Sequence, residues 1–337
     1  MITRIQRLGA FLALAAAVVA LGRLSSANDV AVARQQGPAP RHGMAWVMRA
    51  DGTAVMFGGA DHSIVPEVRH GDTWLWAGDS WIPHRDPGPS PRIWPAAAYD
   101  AQSGGVFLFG GLSPDSGFLT DAWLFRPKGW QRIETTTAPE GRWHSAMAPD
   151  PARAQLVLFG GVDHLQKPEA RVYGDTWVWN GRAWARAEVQ GPEPRFGHAM
   201  TFDPSREAVV LVGGRNRQMQ PLNDAWAWDG RGWSRISAEG LPPRLLHALA
   251  FDPVGRSLIL HGGWDATAGN YLGDTWRLQA GTWRRLDAAG PTPRRAHLMV
   301  TDRPGRRVLL FGGYGPNAVH ADLWAWDGTC WKRLGPR

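Results

Sequence analysis

Cysteine is almost absent from this chain. Cys330 is the only one in 337 residues, so a disulfide within the chain is impossible and zinc sites built from several cysteines are excluded. No run of five or six like charges occurs, which argues against nucleic-acid binding. The sequence also lacks a P-loop, a dinucleotide fingerprint, a nucleophile elbow and an HExxH motif. We therefore predict no metal, no cofactor and no nucleic-acid partner.

Helical patterns of useful length are also missing after residue 27. The chain has 41 Gly and 26 Pro, which favour many turns. The first 27 residues differ from the rest, with a basic start (Arg4, Arg7), an apolar run over 10–22 and the small residues Ser-Ser-Ala at 25–27. That layout is typical of an export signal. We predict a signal peptide over 1–27, with an alternative cleavage site after residue 33, and a linker over 28–37.

The predicted signal peptide sets expectations for location. Its apolar run is too short for a comfortable membrane span, so we expect no stable membrane span after cleavage. No cysteine follows the run, which excludes a lipoprotein. Removing the three arginines of the leader lowers the formal net charge from +7 to +4. We therefore expect a secreted or periplasmic protein of modest charge.

Six copies of one pattern, about 50 residues apart, fill the remaining chain. Each copy has an Arg, an apolar run ending in Gly-Gly, an Asp-x-Trp and one further Trp. The glycine pairs are Gly58-Gly59, Gly110-Gly111, Gly160-Gly161, Gly213-Gly214, Gly262-Gly263 and Gly312-Gly313. The arginines are Arg41, Arg92, Arg142, Arg195, Arg244 and Arg294. The aspartates are Asp72, Asp121, Asp175, Asp224, Asp274 and Asp322. Because the pattern occurs six times, it indicates residues that build the fold rather than a single functional site.

Each copy predicts four short antiparallel strands separated by Gly, Asp-Pro and Asp-Gly turns. A lone four-stranded sheet cannot bury both apolar faces, but sheets stacked around an axis can. The repeated apolar run, Gly-Gly and Trp resemble the Kelch repeat. The resemblance implies an all-β, six-bladed Kelch-type β-propeller over 38–337 with four strands per blade. No blade is visibly shared between the chain ends, so closure should rest on packing of blade 1 (38–84) against blade 6 (292–335).

Residues repeated in every copy are expected to serve the blade. The repeated Arg and Asp should lie at the same end of each blade, and we interpret them as six structural ion pairs. The open alternative is a ring of arginines that lines the mouth of the propeller and attracts a carboxylate or an acidic peptide. His198, His247 and His297 follow three of these arginines at the same offset. We expect hydrogen-bonded channel histidines there rather than metal ligands.

Residues that break the pattern are candidates for binding. Trp94, Trp143 and Trp264 should lie at one end of the ring, where they could stack on a sugar ring or simply fill the channel mouth. The loops after the glycine pairs are long, polar and unlike one another, as binding loops on rigid scaffolds often are. Their candidate ligand-binding side chains are His62, His70, His164, Arg171, Arg215 and Arg217.

Fold resemblance alone does not give a function. A copper oxidase resembling galactose oxidase would need a Tyr crosslinked to a Cys, and the position of Cys330 suggests no such pair. We therefore predict an exported, non-catalytic propeller that binds a glycan, peptide or protein partner through these loops. The alternative is suggested by a resemblance to periplasmic sialic-acid mutarotases. In that case Glu67, Glu169, Arg171 and Arg215 would supply the acid/base pair and the arginine.

Overall fold

Six four-stranded sheets form the body of the protein. The structure is a computed structural model that describes residues 37–164, 170–236 and 239–335. Within these residues every regular element is a strand or bridge, and each blade is antiparallel. The prediction of a six-bladed Kelch-type propeller with four antiparallel strands per blade is confirmed. The predicted signal peptide, both cleavage sites and residues 28–36 lie outside the described residues.

In chain order, the strands of each blade run from the central channel to the rim. Blade 1 contains β1 (Ala45–Met48), β2 (Ala54–Phe57), β5 (Thr73–Trp76) and β6 (Trp81–His84), with a ribbon of β3 (Ala60–Asp61) and β4 (Val68–Arg69). Blade 2 contains β7 (Ala96–Asp100), β8 (Gly105–Phe109), β11 (Ala122–Arg126) and β12 (Gly129–Ile133), with a ribbon of β9 (Leu112–Ser113) and β10 (Gly117–Phe118). Blade 3 contains β13 (Ala146–Asp150), β14 (Gln155–Phe159), β15 (Thr176–Trp179) and β16 (Trp184–Ala187).

The remaining blades follow the same order, and the middle strands of blades 4 and 5 are longer. Blade 4 contains β18 (Ala199–Asp203), β19 (Ala208–Asn216), β20 (Pro221–Trp228) and β21 (Trp233–Ile236), and the short β17 (Arg195–Phe196) also pairs with β19. Blade 5 contains β22 (Ala248–Asp252), β23 (Ser257–Asp265), β24 (Asn270–Gln279) and β25 (Thr282–Leu286). Blade 6 contains β26 (Leu298–Asp302), β27 (Arg307–Phe311), β28 (Leu323–Trp326) and β29 (Trp331–Leu334).

The antiparallel order gives the propeller two different faces. The repeat arginines and the loops that follow the glycine pairs lie at one face, which we call the loop face. The tight turns between the first and second strands, such as 101–104 and 253–256, lie at the opposite face, which we call the turn face.

The core lies between neighbouring blades. The second strand of each blade is covered on both sides, as shown by β8, in which all five residues are buried. The outer Trp of several blades reaches back to the preceding blade. Trp130 Nε1 donates to Thr73 Oγ1 at 2.9 Å, and Trp233 makes the same bond to Thr176. The aromatic rings therefore join one blade to the next.

An Arg–Asp–Trp unit fixes the loop-face end of every blade. In blade 5, Arg244 donates to both carboxylate oxygens of Asp274 at 2.8 and 3.0 Å and to the carbonyl of Gly262 at 3.1 Å. Trp276 Nε1 also donates to Asp274. Asp and Trp two residues apart face the same side of a strand, which explains the Asp-x-Trp spacing. The same bidentate pair forms in all six blades, and each arginine is fully buried or nearly so.

This arrangement decides between the two interpretations of the repeat arginines. Because all six are buried and held by carboxylates and carbonyls, they are not free to line the mouth or attract a ligand. Burial raises the pKa of the paired aspartates, but the hydrogen bonds and the positive charge of the arginine lower it by more. The pKa of Asp274, for example, lies below its usual value.

The ring closes without a shared blade. All four strands of blade 1 and all four of blade 6 come from their own repeat. Closure comes from apolar packing between them: Phe311 contacts Trp46 and Trp81 with ring centroids 6.0 and 5.2 Å apart. Arg307 Nη2 also donates to the carbonyl of Gly78 at 2.8 Å. Trp46, which breaks the repeat pattern, is thus part of this junction.

Candidate functional site

A ring of six residues lies around the channel at the loop face. Each stands two positions after a repeat arginine and has a left-handed backbone, with φ between 54° and 66°. We call this ring the neck; its members are Gly43, Trp94, His144, Gly197, Leu246 and Ala296. Backbone hydrogen bonds of 2.6 to 3.2 Å join neighbours at five of the six junctions. The neck therefore ties all six blades together.

A central cavity of about 850 Å³ lies on the turn-face side of the neck. Its wall is formed by the first strands, with small residues such as Ala97 and larger ones such as Tyr99 and Phe202. Neck residues line its end, but His42, Arg295 and Tyr314 on the loop face do not.

The buried histidines are packed between blades. His198, His247 and His297 line the upper part of the cavity, and each Cε1 lies against the first glycine of the preceding blade's pair. Burial is the main reason that the pKa of His247 falls to about 3. His297 Nε2 lies 3.1 Å from the carbonyl of His261, whereas both ring nitrogens of His247 lack a partner among the described residues. The expectation of hydrogen-bonded histidines is therefore met by His297 but not by His247, whose ring lies against Gly213.

Arg295 is the principal unpaired charge at the centre of the loop face. Its guanidinium carbon lies 4.3 Å from the ring centroid of Trp264, 4.7 Å from that of Tyr314 and 5.2 Å from that of Tyr271. Arg295 is half-buried, and its Nε is buried without a hydrogen-bond partner among the described residues. No described carboxylate forms an ion pair with it, in contrast to Arg294 next to it.

Two histidines adjoin this aromatic group. His42 Nε2 and His62 Nδ1 lie 2.8 Å apart, and both rings pack against Tyr314 with centroids 4.6 Å away. Burial, with the nearby charges of His62 and Arg295, lowers the pKa of His42 to about 3. His42 is therefore neutral at physiological pH, whereas the guanidinium of Arg295 beside it carries a positive charge.

The remaining aromatic rings continue around the neck. Trp94 stacks on His144 at 4.1 Å, and Trp143 contacts the same imidazole at 4.5 Å. Six half-buried side chains thus lie in the neck or next to it. We call them the platform: Trp94, Trp143, Trp264, Tyr271, Arg295 and Tyr314.

Comparison with known proteins agrees with this architecture. A family profile described as the KLHDC2/KLHL20/DRC7 Kelch-repeats domain matches residues 72–240, half of the chain. The chain belongs to the Kelch-repeat family. A solved Kelch-type propeller, reported as "Structure of YjhT", is similar with a TM-score of 0.67 and 14% identity, over 89% of this chain and 99% of that one. No curated protein matches the chain.

The predicted loop residues of this Kelch propeller are spread over several blades. Glu67 pairs with Arg69 at 3.3 Å within blade 1. Arg171, in blade 3, pairs with Glu140. Arg215, in blade 4, donates through Nε to the carbonyl of Met219 at 2.5 Å. No hydrogen bond or ion pair in the described parts of the chain joins Glu67, Arg171 and Arg215, and Glu169 lies outside them.

The other predicted ligand-binding residues also occupy distinct places. His164 packs edge-on against Phe118 at 4.5 Å. His70 is half-buried near Arg41, and burial together with that charge lowers its pKa. Arg217 is exposed in the loop between β19 and β20. Of the histidines and arginines predicted from the loops, only His62 contacts a platform residue, through Tyr314.

Arg295 and His42 were not among the predicted site residues. Both stand one position after a repeat arginine, where the other blades have Ile93, Trp143, Phe196 and Leu245. A charged residue among apolar ones at an equivalent position is a signal that aligning the repeats can reveal. Within the described residues, no cluster of His, Cys, Asp and Glu has metal-binding geometry. The described part of the chain also contains no helix long and apolar enough to span a bilayer.

Proposed function

We propose that this Kelch propeller is an exported, non-catalytic module that binds a glycan on the platform. The observation that carries the proposal is the group of half-buried indole and phenol rings around the neck. Such rings offer flat apolar faces with polar edges, which suits stacking on a sugar ring. The repeat framework holds them rigidly, so little conformational entropy is lost on binding.

Non-catalytic binding fits this face better than sugar mutarotation. That chemistry needs an acid/base group beside the anomeric centre. The candidate carboxylate of Glu67 is engaged by Arg69, and Glu140 is engaged by Arg171 and the hydroxyl of Tyr173. The groups of the platform itself are a guanidinium, phenols and indoles, and imidazoles adjoin it. Mutarotation stays the alternative prediction, and proton NMR of anomer exchange with and without the protein tests it.

A glycan array on the chain without residues 1–27 tests the proposal. We expect binding to a defined set of saccharides, with a change in Trp fluorescence. Trp143→Ala and Trp264→Ala should each weaken the best hit by about tenfold or more, since stacked aromatics carry much of the energy of such contacts. Ile82→Ala, at an exposed apolar residue of the rim, is the control that should bind normally. Unchanged affinity in both Trp variants would place the site elsewhere.

Export is part of the proposal and rests on the sequence of residues 1–27. The N-terminal residue of the protein recovered outside the cytoplasm tests it. We expect Asn28, or Arg34 if the alternative site is used.

A further inference from the structure

The platform contains one group that a neutral sugar does not need. Arg295 carries a positive charge between the faces of three aromatic rings, and no described carboxylate neutralises it. The Arg residues that serve the fold are treated differently, since each of the six repeat arginines meets an aspartate bidentately. A structural role for Arg295 would not require its charge to be left unpaired.

The position of Arg295 suits contact with a ligand. It directly precedes the neck residue Ala296, and its backbone pairs with that of Tyr314 in both directions at 2.9 Å. The anchoring strand segment is therefore fixed, while the side chain is half-buried and partly in contact with solvent. The positive charge of Arg295 also acts on nearby groups, since it contributes to lowering the pKa of His42 and of His144.

The surroundings of Arg295 select the chemistry of the ligand. A guanidinium stacked on aromatic faces keeps its N–H donors in its own plane, where an oxyanion can accept two of them. The neighbouring rings of Trp264 and Tyr314 can pack against the apolar face of a sugar. We propose that Arg295 is the anion subsite of the platform, and that the glycan it binds is acidic, with a carboxylate or sulfate on a pyranose ring. The inference rests on the proposed glycan-binding function.

Matched saccharides and matched arginine variants test this subsite. The probes are methyl β-glucuronide, methyl β-glucoside and glucose 6-sulfate, titrated by calorimetry and Trp fluorescence at low and high salt. The wild-type protein should bind at least one charged probe about 10- to 100-fold more tightly than the neutral one, as expected for a charge-assisted hydrogen bond. The carboxylate and sulfate arms distinguish the two sources of the anion.

Arg295→Gln should abolish the preference, so that the charged and neutral probes bind to this variant with affinities within about twofold of each other. Arg295→Lys keeps the charge but not the planar fork, so it should retain only part of the preference. Arg285→Gln, at an exposed arginine of β25, removes the same charge away from the platform and should behave as wild type. Thermal unfolding of each variant confirms that the fold is kept.

The outcomes separate this inference from the function on which it depends. Equal binding of charged and neutral probes, or a preference that survives in Arg295→Gln, would overturn the anion subsite and leave the glycan platform standing. Absence of binding by every saccharide, charged or neutral, would overturn both.

Discussion

The buried histidines make the stability of the propeller depend on pH, and His247 offers the sharpest test. Its pKa falls from 6.5 to about 3 in the fold because of burial and the nearby charge of Arg244. The unfolded chain therefore binds a proton at a pH where the folded chain does not. This contribution to stability is fully present above pH 6.5 and is lost as the pH falls toward 3.

The size of this loss of stability depends on how far the pH lies below 6.5. Each pH unit below 6.5 removes about 1.4 kcal/mol per such histidine, so pH 5.0 removes about 2 kcal/mol. His42 and His261 are also buried with pKa values of about 3. Together with His247 they should lower the free energy of unfolding by about 6 kcal/mol between pH 7.5 and 5.0. That is a large share of the ~5–15 kcal/mol typical of a folded protein.

A substitution taken from another blade isolates the effect of one histidine. Met44 is the residue of blade 1 equivalent to His247, and its Cε lies against Gly312 as the His247 Cε1 lies against Gly213. His247→Met should therefore pack well and should lose about 2 kcal/mol less than wild type on going from pH 7.5 to 5.0. Urea unfolding followed by Trp fluorescence at both pH values measures this difference.

Leu249→Met is the matched control, because it changes a buried side chain of β22, two positions after His247, without removing a titratable group. Its loss of stability between the two pH values should equal that of the wild type. If His247→Met shows the same pH dependence as wild type and Leu249→Met, the argument from buried neutral imidazole is wrong.

Two further predictions each compare a pair of substitutions, and both are measured by urea unfolding at pH 7.5. Gly59 and Gly78 have similar φ values of 94° and 90°, but a Cβ on Gly59 would lie 2.9 Å from a backbone oxygen and one on Gly78 would meet nothing within 4 Å. Gly59→Ala should therefore cost about 1–3 kcal/mol more than Gly78→Ala, and equal losses would mean that backbone conformation alone decides. Asp121→Ala should cost about 3–5 kcal/mol by leaving a buried arginine unpaired, whereas Asp72→Ala should cost less, since the Asp72 side chain is 42% exposed against 17% for Asp121. A larger loss at Asp72 would contradict the role given to burial.

The propeller could be predicted from the sequence because the same residue pattern recurs in every blade. Six copies of Arg, Gly-Gly and Asp-x-Trp at one period define the blade, and the apolar run before each glycine pair matches a strand covered on both sides. The hydrogen bond from Trp276 to Asp274 shows why Asp and Trp keep their spacing. Packing in each blade satisfies the same local rule, so one blade predicts the others.

The candidate site could be predicted only in part because it is built from differences between blades. Trp94, Trp143 and Trp264 stood out as departures from the repeat and do lie around the neck. Arg295 was not predicted as a site residue, because the aromatic rings that pack against it come from separate stretches of blades 5 and 6. The left-handed backbone of the neck could not be predicted either. Only two of its six members, Gly43 and Gly197, are glycines, the residue type that usually indicates a positive φ.

The neck has a consequence for any molecule that binds on the platform. Backbone hydrogen bonds join its members at five of the six junctions, and Arg295 and Tyr314 of the platform do not line the cavity. A ligand bound on the platform therefore enters and leaves by the loop face. The platform is thus suited to holding a ligand at one face of the propeller rather than to passing it through the central channel.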